Sequence, residues 1–140
     1  MASSGEQNVE LVRGGLEDWI AGDRKAAMAT FTEDVEVYVP PELGNAGRYR
    51  GVEEFLRWFE AWDEVWTDYR MSIEAMEPAG DRHVLAMIRS TATGVGSGIE
   101  VENVLAWVIG VRGNRMEFLS LQPDRESALA LAREREAADG

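Results

Sequence analysis

Few residues in this chain combine a reactive type with a useful spacing. The run Val37-Tyr38-Val39-Pro40-Pro41-Glu42 ends an alternating strand in a stiff loop, with Glu42 the nearest acid beyond two prolines. A carboxylate there is a candidate general base only if it turns inward. His83, the one histidine, stands beside the Asp81-Arg82 turn and reads as a solvated strand start. One histidine and no cysteine leave a transition-metal site short of ligands and exclude thiolate nucleophiles. Glu100 and Glu102 share a strand face, which suits a hard cation but is expected to be solvated. Gly94-Val95-Gly96-Ser97-Gly98 precedes no helix and matches no phosphate-binding loop, so it reads as a hairpin turn. No serine triad can be assembled, and neither metal nor cofactor is expected.

The remaining candidates are suited to binding. Asn103 is the one amide in the row Val101, Asn103, Leu105, Trp107 and Ile109. A buried amide needs partners, which a ligand, a neighbouring side chain or a water would supply. Gln122 raises the same question, with Ser120 and Phe118 on its face. Neither amide is a base at neutral pH. Arg89 could meet an acidic ligand, although a cross-strand acid is the expected partner. Phe55, Trp58, Phe59, Trp62 and Trp66 form one helical stripe. Such a stripe is usually plain core; Trp62 and Trp66 lie towards the helix end, where an open mouth would expose a ring edge. Trp19 is placed to face them, and Tyr49 lies in a loop suited to a lid.

These residues need elements to hold them. Apolar spacing predicts a helix over 9–21, capped by Asn8 and stopped by Gly22, then a short helix over 24–32 capped by Asp23. A strand over 35–39, a loop with Gly44, Gly47 and Gly51, and a helix over 52–66 follow. Strands beginning at Tyr69, His83, Ile99 and Arg115 form a meander, and Asp124 caps a final helix. The 140 residues suit one domain, over 8–132, between a disordered tail at 1–7 and another at 133–140. A net charge of −12 disfavours nucleic acid and anionic membranes. No apolar run is long enough for a membrane span, and the start lacks the features of a signal peptide. A cytoplasmic location is the default expectation. The order of elements gives an α+β layout in which a strongly curved sheet wraps helices around an apolar end.

The stretch "NVELVRGGLEDWIAGDRKAAMATFTEDVEVYVPPEL" resembles the opening of SnoaL-like proteins of the nuclear transport factor 2-like superfamily. The likeness continues through "YRGVEEFLRWFEAW" and the hairpins to "DRESALALA", over about residues 8 to 132. It implies a cone-shaped α+β barrel with a curved antiparallel sheet around three helices, a C-terminal helix, an apolar pocket and a homodimer through the sheet. Steroid isomerases, polyketide cyclases, epoxide hydrolases and non-catalytic accessory domains share this fold, so the residues must decide. The steroid-isomerase base falls at Val39, its tyrosine at Gly15 and its acid near Leu105 or Ala106, and all three positions are empty. The ionisable pair of an epoxide hydrolase would fall near Val104 to Ala106, where nothing titrates. A cyclase acid on the last strand meets Ser120, Gln122 and Asp124, and Asp124 reads as the helix cap.

The expected function is therefore binding of a small apolar or aromatic metabolite, with isomerase, cyclase or hydratase chemistry as what the resemblance implies. The ligand-binding candidates are Trp19, Val39, Tyr49, Trp62, Asn103, Trp107 and Gln122. No residue is assigned a catalytic role. The expected partners are a small molecule and a second copy of the chain, without nucleic acid or membrane. The alternative is an accessory or dimerisation domain whose core is filled by its own tryptophans.

Overall fold

The apolar stripe that begins at Phe55 forms α3 (Val52–Val65) in the computed structural model, which describes residues 4–43 and 46–139. Before it come α1 (Ser4–Ile20), α2 (Arg24–Met28), β1 (Phe31–Val39) and β2 (Gly47–Arg50). After it come β3 (Trp66–Pro78), β4 (His83–Gly94), β5 (Glu100–Arg112), β6 (Arg115–Gln122) and α4 (Arg125–Asp139). Met1 to Ser3 and Gly44 lie outside the described residues. Residues 4–7, expected in a loose tail, belong to α1, and α4 extends through most of the expected C-terminal tail.

The strands form one curved sheet in the order β2-β1-β6-β5-β4-β3. Every pairing is antiparallel except β1 with β6, where Val37 stands opposite Leu119. The fold is α+β as expected, but the sheet is mixed and stays open at β2 and β3 instead of closing into a barrel. Local alternation shows a strand, not its distant partner, so the parallel pairing had no sequence signal.

Alternation also divides the core in two. Val35, Val37 and Val39 of β1, Ile109 of β5 and Leu119 of β6 pack towards Val12, Leu16 and Trp19 of α1 and Phe55 of α3. The intervening residues Leu85, Val108 and Phe118 lie instead beneath Ala128 and Ala132 of α4. Tyr38 packs with this second cluster, and the Arg48 guanidinium lies 4.4 Å over its ring.

The position of α4 corrects the reading of His83. This histidine is 1% exposed, with Arg135 Nε donating to its Nε2 at 3.1 Å and Glu136 lying 3.5 Å from its Nδ1. Asp124 does cap α4: the Ser127 backbone N–H donates to its Oδ1 at 2.7 Å. That bond holds the Asp124 carboxyl below its ordinary range. A lowered native pKa contributes stability above the unfolded value and loses it as pH falls through the native one. The difference in urea midpoint between the protein and its Asp124→Ala variant should therefore be present at neutral pH and shrink below about pH 4.

Among the described residues no helix is long and apolar enough to cross a membrane.

Candidate functional site

Where α1 and α3 cross the concave face of the sheet, their side chains leave a narrow cavity. α1 contributes Gly15, Leu16 and Trp19, and α3 contributes Phe55, Trp58, Phe59 and Trp62. The sheet closes it with Tyr69 and Met71 of β3, Trp107 and Ile109 of β5, and Met116, Leu119 and Leu121 of β6. Phe31 of β1 completes the wall. Of these fifteen residues eight are aromatic, and none is Asp, Glu, His, Lys or Arg.

Local structure explains how the rings converge. The helical repeat brings Phe55, Trp58, Phe59 and Trp62 to one side of α3. Trp19 meets Phe59 edge-on at 4.3 Å between ring centroids, and Trp62 meets Tyr69 at 6.0 Å. Trp66, expected on the same helix, is extended at φ −123° and ψ 139° and begins β3. Soon after it the β3–β4 register shifts between Thr67 and Arg70, with Asp68 at φ 52°, inside the left-handed region. Such a bulge re-aims neighbouring side chains. Tyr69 lies within it at the cavity wall, with its hydroxyl 3.5 Å from Ser90 Oγ.

Gly15 has a steric role. A methyl group there would overlap Met116 Cε and stand 2.8 Å from Thr30 Oγ1, so glycine lets α1 approach β6. The free volume is about 30 Å³. That holds one or two waters, whereas a cavity that accepts benzene measures about 150 Å³.

Two polar atoms in this wall stand out. Trp62 Nε1 and Trp107 Nε1 are buried and have no hydrogen-bond partner among the described residues. An indole N–H is only a donor, and buried donors are normally paired.

The structure brings Trp19, Trp62 and Trp107 together around the cavity. It places the other four candidates elsewhere. Val39 is core at 1% exposure but is not part of the cavity wall. Tyr49 packs 6.2 Å from Trp58, and its hydroxyl donates to Ala46 O. Asn103 is exposed, opposite Ser90 of β4 in the sheet, and is not part of the cavity wall. Gln122 is buried, but its Nε2 donates to Ser120 Oγ at 2.8 Å, and that hydroxyl donates to Tyr38 O at 2.7 Å. Its partner is thus the neighbouring side chain.

Glu42 is exposed, which removes it as a base for this cavity. Arg89 pairs with Glu74 and Glu102 across the sheet. No cluster of acids and histidines among the described residues could hold a metal. Residues missed in the sequence include Tyr69, Met71 and Met116; alternation marks β3 and β6 as strands but does not show which of their residues meet α1 and α3.

The model of the SnoaL-like domain matches residues 12–117. The chain belongs to the SnoaL-like family. No curated protein matches this SnoaL-like chain in sequence. Solved structures show the same fold. An NTF2-like protein from Burkholderia thailandensis E264 aligns with a TM-score of 0.76 at 24% identity, over 95% of this chain and 98% of that one. Bal32a, from a soil-derived mobile gene cassette, aligns at 0.74 and 22% identity, over 90% and 95%. TerC, co-crystallised with polyporic acid, aligns at 0.73 and 13% identity, over 91% and 98%.

Proposed function

We propose that this SnoaL-like protein binds a small, apolar or aromatic metabolite between α1, α3 and the concave face of the sheet. One observation carries the proposal: eight rings and no charged side chain line a cavity in the middle of the fold. Sites for small molecules are mostly apolar, with few polar groups to fix orientation. The co-crystal of TerC with polyporic acid supports small-molecule binding as a use of this fold.

Isomerase, cyclase or hydratase chemistry would need a proton acceptor at the ligand. The wall holds no Asp, Glu, His or Lys side chain to serve as one. Binding is therefore the function proposed, and proton transfer in this site would have to use a group on the ligand.

With about 30 Å³ free, a ring can enter only if side chains yield. Met71 and Met116 are the adaptable ones, being unbranched and flexible. The same small volume favours a second reading, in which Trp19, Phe59 and their neighbours simply fill the core of an accessory domain.

Thermal unfolding in toluene separates the two. A ligand bound only by the native state stabilises it, by about 1.4 kcal/mol at ten times its Kd. The binding reading expects the unfolding midpoint to rise saturably with toluene. A midpoint that stays level or falls supports the self-filled core.

A further inference from the structure

We infer that the ligand of this cavity is a neutral ring compound carrying an acceptor oxygen, held by the indole N–H groups of Trp62 and Trp107. This rests on the binding reading above and narrows it to a chemical class.

Three observations converge. First, both indole nitrogens are buried without a partner, and both side chains line the same cavity. Trp107 is only 7% exposed, so bulk water does not serve its N–H. Leaving a buried donor unmet is costly, and two on residues of one cavity wall call for an acceptor. A carbonyl, ether or phenol oxygen supplies one.

Second, the wall offers no counter-charge. A carboxylate brought in would be desolvated with no Lys, Arg or His in the wall itself; the Arg24 guanidinium lies behind it, 4.6 Å over the Phe59 ring. The chain's net charge of −12 opposes an anion further.

Third, a box of aromatic rings in an acidic protein invites comparison with sites for quaternary ammonium ions. Here the unmet N–H groups decide against a cation, because their positive ends favour an electron pair. The hydrophobic rings thus supply affinity, and the two indoles supply orientation.

Four probes of similar size separate these cases: toluene, acetophenone, benzoate and phenyltrimethylammonium. Binding is followed by the indole N–H resonances of the ¹⁵N-labelled protein, with Trp62 and Trp107 assigned from their phenylalanine variants. Acetophenone should bind about threefold to tenfold more tightly than toluene, as one net hydrogen bond gives. It should move the Trp62 and Trp107 indole protons downfield, while toluene leaves them without that displacement. Trp107→Phe should reduce the preference for acetophenone over toluene. That ratio is insensitive to a general change in packing. Trp62→Phe should act in the same direction.

Equal affinities for toluene and acetophenone, with unmoved indole protons, would overturn the inference while leaving the binding reading intact. Tightest binding of benzoate or of phenyltrimethylammonium would overturn it too. If none of the four binds, the binding reading fails and this inference fails with it.

Discussion

Replacing Phe55 by alanine is expected to lower the unfolding free energy by about 3–5 kcal/mol. Phe55 is 2% exposed and packs against three rings: Trp19 of α1 at 5.7 Å, Phe31 of β1 at 5.1 Å and Trp58 of its own helix at 6.2 Å. It therefore joins α1 and β1 to α3, and its loss leaves a void that the surrounding aromatic rings fill poorly. A domain of this kind has about 5–15 kcal/mol in total, so the change would consume a large part of it. The urea midpoint should fall with the slope retained. A loss below about 1 kcal/mol would mean that the ring cluster is not the point on which these elements are assembled.

The second large effect concerns the cavity. Leu121, 6% exposed, forms part of its β6 wall. Leu121→Phe adds bulk to a space with about 30 Å³ free. Overpacking should cost about 1–3 kcal/mol, because Met116 and Met71 can give way only in part. The affinity for toluene should fall at least about tenfold, with the toluene-induced rise in unfolding midpoint lost. Glu42→Gln, on the exposed loop, should leave that rise unchanged. Unaltered toluene binding in Leu121→Phe would place the ligand outside this cavity.

The sequence made some of this arrangement visible and hid the rest for physical reasons. The aromatic stripe of α3 shows itself through its helical repeat, and Trp19 follows from the next-strongest helix. Trp107 shows itself through the alternation of β5, where Ile109 shares its face and Val108 does not. Alternation assigns a face but not how far the helices extend over it. Asn103 therefore looked equivalent to Trp107, although Asn103 is exposed and Trp107 is buried. Gln122 was legible as buried; its bond to Ser120 depends on the parallel contact with Tyr38, which no local pattern reveals. His83 was misplaced because nothing near it announces that α4 returns across the strand start. The β3 bulge at Asp68 and Tyr69 has no glycine to mark it, since Asp68 itself takes the left-handed conformation. The exposure of Glu42 was readable, whereas Val39, a ligand-binding candidate, is core outside the cavity wall.

The central claim, that the interior cavity admits an aromatic ligand, is tested most directly by the methyl resonances of the six methionines. Met71 and Met116 line the cavity, whereas Met87 packs with the cluster beneath α4. With ¹³C-labelled methionine methyl groups, toluene should shift the Met71 and Met116 signals strongly and saturably through its ring current. The Met87 signal should stay in place. Shifts absent from Met71 and Met116, or spread evenly over all the methionines, would contradict the account and leave a core filled by its own tryptophans.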